Sequence, residues 1–275
     1  MKKGSVTSIL AYVTLITGGL IFIFPFIWTL LSSFKSANEA IAVPLVWFPA
    51  VWSWANYAEL FTLLPFGYFY WNTALLVFFR IVCAILFSTM AAYGFARIPF
   101  PGSKFFFALI VLQFMIPPAV FIYPQYRILF HLNALNTVFA LVFPGLVSAF
   151  GTFLMRQAFL SLPGALEEAS VIDGCSRWQI YTLVYLPLLK SFMVALSIFT
   201  MIFAWKDLMW PLIVNTDIKK MTLTAGIMYL QTGSDYIANY AVMMAGVAMA
   251  TIPLVTLYFF FQKSFQTGIA MTGIK

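Results

Sequence analysis

Long stretches without charged side chains divide the chain into segments of membrane length. Four of these stretches exceed 20 residues and contain no Asp, Glu, Lys or Arg, at Ile9–Leu31, Phe105–Tyr126, Leu132–Met155 and Tyr236–Gln262. Two more apolar runs each contain one basic residue, at Trp71–Ala96 and Thr182–Trp205. An α-helix crosses the hydrocarbon core of a bilayer in about 20 residues. The pattern therefore predicts an all-α polytopic membrane protein with six transmembrane helices.

Two shorter apolar stretches follow Thr182–Trp205, the fifth run in chain order. Leu208–Val214 is too short to cross a bilayer and contains Pro211, and Met221–Leu230 is also shorter than a span. We expect both to form loop on the outer face, with a re-entrant segment as the alternative.

The composition excludes an ordinary soluble protein. Hydrophobic residues make up 63% of the 275 residues and charged residues only 8%, whereas soluble domains carry about 25% charged residues. Six spans and their loops occupy most of the chain, so we expect a single transmembrane domain over residues 1–275.

The distribution of lysine and arginine predicts the orientation of the spans, because positive charge accumulates in cytoplasmic loops. With both termini inside, nine basic residues are cytoplasmic: Lys2, Lys3, Arg97, Lys104, Arg156, Arg177, Lys190, Lys263 and Lys275. Five face out: Lys35, Arg127, Lys206, Lys219 and Lys220. We therefore expect both termini in the cytoplasm. The net charge of +7 then reflects topology and anionic membrane lipid, and gives no support to nucleic-acid binding.

An acidic segment lies between the fourth and fifth runs, on the predicted cytoplasmic side. Glu167 and Glu168 precede Asp173-Gly174, an order that suits a short helix with acids near its N-terminus and a glycine after its end. Apolar residues recur three or four positions apart, at Leu162, Ala165, Leu166, Ala169 and Ile172. The spacing predicts an amphipathic helix whose acidic groups face water.

The order Glu168-Ala169-Ser170, Asp173-Gly174 and Pro187 resembles the "EAA" loop of permeases in binding-protein-dependent ATP-binding-cassette importers. The resemblance implies that residues 161–178 form a coupling loop, whose helix sits in a groove of a cytosolic ATPase. It implies that Leu166 and Ala169 pack in that groove, and that Glu168 and Asp173 hold polar partners. The coupling set also includes Glu167 and Gly174, with Gly174 setting the exit toward the fifth span. An interfacial helix that only stabilises a loop is the alternative.

Further patterns extend the resemblance to maltose-type sugar permeases over nearly the whole chain. They include Ser33-Phe34-Lys35, Ala91–Arg97 with Phe100-Pro101-Gly102, and Trp205–Leu212. The resemblance implies a multi-pass permease subunit of a sugar importer in a bacterial or archaeal plasma membrane. The implied partners are a second homologous permease, two cytosolic ATP-binding subunits and an extracellular or periplasmic solute-binding protein. Glycerol phosphate or a sugar acid is an alternative solute.

Catalytic chemistry is not supported by the sequence. Gly102-Ser103-Lys104 lacks the earlier glycine and the later serine or threonine of a phosphate-binding loop, so ATP and magnesium are expected only on the partner ATPase. His131 is the single histidine and has no ligand-spaced cysteine or carboxylate partners, so we expect no metal site. We therefore expect a non-enzymatic subunit without a cofactor of its own.

Polar residues in or beside the spans are candidates for the solute path, because charged groups in a bilayer are costly and usually functional. The candidates are Asn72, Arg80, Gln113, Lys206 and Asp207. Arg80 suits either a cavity or an outward, snorkelling position. Lys206 suits either a salt bridge with Asp207 or contact with an anionic group on the solute.

Two other classes of membrane protein remain alternatives. An ion-coupled secondary transporter should carry paired carboxylates within its spans, yet all eight acidic residues fall in loops or at span ends. A structural membrane subunit would not need the acidic helix.

Overall fold

The computed structural model describes residues 3–232 and 239–273, and every regular element in these ranges is helical. In chain order the first eight helices are α1 (Lys3–Ser32), α2 (Ala37–Ala40), α3 (Ala55–Leu63), α4 (Phe66–Arg97), α5 (Ser103–Leu112), α6 (Ala119–His131), α7 (Val138–Val142) and α8 (Ala149–Ser161). The remainder are α9 (Ala165–Ile172), α10 (Arg177–Gln179), α11 (Leu186–Leu188), α12 (Lys190–Lys206), α13 (Met209–Val214), α14 (Leu223–Thr232) and α15 (Tyr240–Gly273). A π-helical turn, Ile180–Tyr185, joins α10 to α11.

Among the described residues, three segments are long and apolar enough to cross a membrane as single helices, at Leu10–Ser32, Phe66–Arg97 and Tyr240–Leu257. Three more candidates are pairs of helices bent at a break, so six crossings result if each pair is one span. The prediction of an all-α polytopic membrane protein is confirmed. The sixth span was expected to begin at Tyr236, but residues 236–238 lie outside the described residues, and α15 begins at Tyr240.

The third, fourth and fifth runs in chain order are each formed by two helices that meet at a break. The third run bends by 107° between Met115 and Ala119, where the chain contains Pro117-Pro118. Ile116, before the two prolines, is extended; proline disfavours helical geometry in the preceding residue and lacks the N–H that a helix needs. The fourth and fifth runs bend by 48° and 76°.

The two short apolar stretches are also helical, so their assignment as outer loop is wrong. Leu208–Val214 forms α13, whose Trp210 is buried and donates its indole N–H to the Ala140 carbonyl at 2.8 Å. Met221–Leu230 overlaps α14, where the backbone N–H of Leu223 donates to Thr73 Oγ1 at 2.9 Å. Packing against other helices stabilises elements that are too short to be helical alone.

The chain divides into two compact units, one formed by Met1–Phe66 and Gly226–Val255, the other by Gly67–Ala225 and Thr256–Lys275. In the first unit, Asn56 Nδ2 donates to the carbonyls of Ser33 and Lys35, both at 2.8 Å. The Lys35 side chain is fully buried, with its Nζ 3.8 Å from the centre of the Trp28 ring. Burial lowers the pKa of Lys35, against the raising effect of Glu39.

The second unit contains two buried clusters. One is aromatic and surrounds the π-helical turn. In it the ring centre of Tyr93 lies 5.3–5.8 Å from those of Phe159, Tyr181 and Tyr185, and the ring centres of Phe159 and Tyr185 are 5.6 Å apart. The other joins α4, α6, α7 and α13 through residues that include Leu76, Leu129, Leu141 and Trp210. Both candidate sites described below lie in this unit.

Candidate solute path and coupling segment

The first candidate site is a cavity of about 570 Å³ beside three interruptions of the helices. Its lining consists of Gln113, Phe114, Ile116, Pro118, Ala119, Phe121, Ile122, Gln125, Pro144, Ala149, Phe150, Asp207, Met209 and Trp210. These residues flank the α5–α6 break, the α7–α8 break and the α12–α13 junction. Binding sites in membrane transporters are commonly built where spanning helices are discontinuous, because irregular backbone is tolerated where it lines a cavity.

A buried ion pair forms one side of this cavity. Arg80 Nη2 lies 2.9 Å from Asp207 Oδ2 and also donates to the Leu141 carbonyl at 2.8 Å. Asp207 lines the cavity, whereas Arg80 is not among the lining residues. Arg80 therefore lies inside the protein as the counter-charge of Asp207, and its predicted snorkelling alternative is wrong.

The alternative in which Lys206 pairs with Asp207 is wrong as well. Lys206 is the last residue of α12, and Asp207 after it adopts extended backbone geometry, so the two side chains diverge. Lys206 is exposed, with its Nζ 5.6 Å from the centre of the Phe203 ring.

Asn72 is engaged elsewhere in the second unit. Its Nδ2 donates to the carbonyls of Lys219 and Met221, at 2.8 and 2.9 Å. These two bonds use both amide hydrogens, so Asn72 tethers the connection before α14. Of the five sequence candidates, the cavity brings together Gln113 and Asp207.

Several lining residues were not identified from the sequence. Gln125, Phe114 and Phe150 belong to the bent pairs α5–α6 and α7–α8, and Trp210 belongs to α13. Pro117-Pro118 and Pro144 carried the available signal, since proline marks interruptions of a helix.

The second candidate site is the acidic segment, in which α9 spans Ala165–Ile172. Glu167 and Glu168 lie in its first turn, near the positive end of the helix dipole. Asp173 ends the helix and Gly174 follows with φ +79°, a left-handed conformation that glycine adopts without strain. The predicted helix and its glycine stop are confirmed.

The orientation of α9 differs from the prediction that its acidic groups face water. Tyr185 is fully buried in the π-helical turn, and its hydroxyl donates to Glu167 Oε2 at 3.1 Å. A buried hydroxyl needs a hydrogen-bond partner, which turns Glu167 toward the protein. Leu166 is half-buried on the same side and Ser170 is buried, whereas Glu168 is exposed.

Beside Glu167, the surface of α9 is open. Val171 is 60% and Ile172 85% exposed, and Ala169 is also exposed. A shallow groove of about 490 Å³ follows this face, lined by Gly164, Glu167, Glu168, Val171 and Ile172. Such large exposed apolar side chains next to carboxylates are typical of an interaction surface.

The connection into α9 is held by Arg97 at the end of α4. Arg97 Nη2 donates to the carbonyls of Phe159 and Leu162, at 2.5 and 2.6 Å, and the guanidinium lies 5.1 Å from the Tyr185 ring centre. Within the described ranges, no three His, Cys, Asp or Glu side chains are arranged to hold a metal ion.

Broken spans around a cavity with three polar lining residues, together with a short helix that presents exposed apolar side chains, are typical of a membrane transport subunit. The chain matches the family model described as "Binding-protein-dependent transport system inner membrane component" over residues 84–270. It therefore belongs to that family, and is a multi-pass inner-membrane component of a transport system. The resemblance stated from the acidic segment is confirmed.

Curated relatives are similar over almost their full length. The chain is 32% identical to the arabinooligosaccharides transport system permease protein AraQ of Halalkalibacterium halodurans, covering 92% of this chain and 91% of the relative. It is 30% identical to the sn-glycerol-3-phosphate transport system permease protein UgpE of Yersinia enterocolitica, covering 95% of each. It is also 30% identical to the diacetylchitobiose uptake system permease protein NgcG of Streptomyces coelicolor, covering 95% and 87%.

A solved structure shares the fold. A chain in the crystal structure of a bacterial ABC transporter involved in the import of the acidic polysaccharide alginate superposes with a TM-score of 0.81. The match covers 96% of this chain and 98% of that chain at 22% identity.

Proposed function

We propose that this chain is the transmembrane permease subunit of an ATP-driven importer for a sugar or sugar derivative, and that it translocates solute delivered by an external binding protein. The observation that carries the proposal is the seating of α9. Glu167 is bonded to Tyr185 at the base of the fifth candidate span, while Val171 and Ile172 remain open to a partner. Glu167 thus fixes α9 to the permease, and the neighbouring exposed apolar side chains are available for docking.

The proposed partners are supported by membership of the binding-protein-dependent transport family. A second homologous permease completes the path, two cytosolic ATP-binding subunits hold magnesium and ATP, and α9 is the helix that one of them contacts from the cytoplasm. The whole chain acts as one permease domain, with both termini inside, in the plasma membrane of a bacterium or archaeon. The subunit itself performs no catalysis and needs no cofactor.

The mechanism rests on differential binding. Closure of the ATPase pair moves the groove that holds α9, and the permeases exchange between inward-open and outward-open states around the cavity. Moving such an equilibrium from 1:99 to 99:1 takes about 5.5 kcal/mol. Contacts at both faces of α9 must therefore transmit several kcal/mol. Gln113 and Asp207 are the residues of this chain that we assign to the solute path.

The class of solute is supported by the names of the relatives. AraQ and NgcG are named for arabinooligosaccharides and diacetylchitobiose, and UgpE for sn-glycerol-3-phosphate. We therefore assign a di- or oligosaccharide first, and a sugar phosphate or sugar acid second.

Replacing an exposed apolar residue of α9 tests the proposal. Ile172→Asp, at 85% exposure, should abolish copurification of an ATP-binding subunit and ATP-dependent uptake while the chain stays in the membrane. Ile41→Asp is the matched control, since Ile41 is 68% exposed and lies outside both candidate sites. Retention of the ATP-binding subunit by Ile172→Asp, or its equal loss in both variants, would contradict the docking role.

A further inference from the structure

The cavity wall presents the carboxylate end of the Arg80–Asp207 ion pair. Among the described residues that line the cavity, Asp207 is the only ionisable one. Its side chain is 21% exposed, whereas that of Arg80 behind it is 9% exposed. The Arg80 Nη2 group is also occupied by Asp207 and the Leu141 carbonyl. A solute in the cavity therefore contacts the carboxylate of Asp207, and the guanidinium of Arg80 lies behind that carboxylate.

The other polar groups of the lining are uncharged. Gln113 and Gln125 each offer an amide that both donates and accepts hydrogen bonds. Three rings, from Phe114, Phe150 and Trp210, supply apolar faces. The indole N–H of Trp210 is already donated to Ala140, so that residue offers its ring alone.

Hydroxyl-rich neutral solutes fit this set of groups. Sugar hydroxyls can donate to the Asp207 carboxylate and exchange hydrogen bonds with the two amides, while their C–H faces pack on the rings. An anionic solute would instead meet a carboxylate whose counter-charge, Arg80, is already engaged by it, and the described lining supplies no further cation to bind the solute.

We propose that this cavity admits an uncharged polyhydroxylated solute, a neutral oligosaccharide or polyol, and discriminates against phosphorylated or uronic-acid solutes. The inference rests on the proposed function and narrows it. If the inference is correct, the solute is uncharged, like the sugars for which AraQ and NgcG are named. It differs in charge from the solutes for which UgpE and the alginate transporter are named.

Uptake by the complete importer, in membrane vesicles loaded with ATP, tests the first consequence. The neutral probes are arabinotriose, maltotriose, N,N′-diacetylchitobiose and glycerol, and the anionic probes are sn-glycerol 3-phosphate and an alginate trisaccharide. We expect a neutral probe to be taken up at least about tenfold faster than either anion. Equal or faster uptake of an anion, or uptake of no neutral probe, overturns the inference.

A matched pair of charge variants separates the role of this permease from that of the external binding protein. Gln113→Glu and Gln113→Lys should lower uptake of a neutral solute to a similar extent, because each replaces a neutral amide by one unit of charge, and a neutral solute favours neither sign. An anionic solute would make the pair asymmetric by about tenfold or more, with Lys tolerated and Glu inhibitory. Gln157→Glu and Gln157→Lys, on the exposed surface of α8 outside the lining, serve as the control pair.

The two proposals fail in different ways. ATP-dependent uptake of an anion, lost in Ile172→Asp, overturns the choice of a neutral solute and leaves the importer function standing. Uptake that is independent of ATP overturns both.

Discussion

Removing the Tyr185 hydroxyl should partly uncouple ATP hydrolysis from transport. In Tyr185→Phe the ring remains in the aromatic cluster, and only the 3.1 Å hydrogen bond to Glu167 Oε2 is lost. This hydrogen bond joins the side chains of α9 to the base of the fifth candidate span. The substitution therefore loosens the inner face of α9 and leaves its open face unchanged.

The size of the effect follows from the bond. A hydrogen bond to a charged group contributes about 1.5–3 kcal/mol, and about 1.4 kcal/mol corresponds to a factor of ten. The population with α9 seated should fall by about 10- to 100-fold relative to the unseated one. Set against the roughly 5.5 kcal/mol needed to switch the permeases, this is about a quarter to a half of the transmitted free energy. We therefore expect impaired coupling, not complete loss.

The assay is the number of solute molecules imported per ATP hydrolysed by the complete importer in proteoliposomes. Tyr185→Phe should lower this ratio while the ATP-binding subunit still copurifies. Glu167→Ala should behave alike, and Glu167→Gln should retain most coupling because its amide oxygen still accepts from Tyr185. Tyr181→Phe is the control, since its hydroxyl contacts Thr89 at 2.7 Å and not α9. An unchanged ratio in Tyr185→Phe, or an equal decrease in Tyr181→Phe, would refute the reasoning.

Three further predictions concern stability. Arg80→Met leaves the partly buried Asp207 without its partner and should cost about 1–3 kcal/mol, seen as a lower Tm in detergent, whereas the double variant with Asp207→Leu should recover most of the lost stability. Gly145→Ala places a Cβ 2.8 Å from Arg80 Cδ and should cost about 1–3 kcal/mol by the same measurement. Burial lowers the pKa of Lys35 in the folded protein below the ordinary value of 10.5. The unfolded chain therefore binds more protons between the two pKa values, and the free energy of unfolding should rise with pH in that interval. The rise should be absent from Lys35→Met, and an identical pH dependence in both proteins would contradict it.

The apolar runs along the sequence predict where the chain is membrane-like, but they do not show which runs are continuous helices. α4 contains no proline and is continuous, and α15 remains continuous across a single proline at Pro253. The acidic helix α9 could also be predicted from the sequence, because its acidic residues, its apolar spacing and its terminal glycine are all local features of a short segment.

The bends and the ion pair depended on tertiary structure. The chain is apolar enough on both sides of Pro117-Pro118 to read as one span, so hydropathy alone does not show the 107° bend there. Arg80 and Asp207 lie on different elements, far apart along the chain, and no periodicity connects them. The adjacent Lys206 was the natural partner by sequence, but the end of α12 turns its side chain away.

The pairing of Arg80 with Asp207 explains how a carboxylate can be kept at a cavity within a helical membrane protein. Either charge alone at the centre of a bilayer costs about 2.5–3.5 kcal/mol on insertion scales. Together the two charges neutralise one another, and the Leu141 carbonyl accepts a further hydrogen bond from the guanidinium. Gly145 is the small residue that leaves space for the Arg80 stem, because a Cβ there would lie within 3.0 Å of three of its side-chain atoms. A hydrophobic pair would fill the same volume without that desolvation penalty. The retention of the charged pair is therefore better explained by the acceptor oxygens that Asp207 presents to the cavity than by stability.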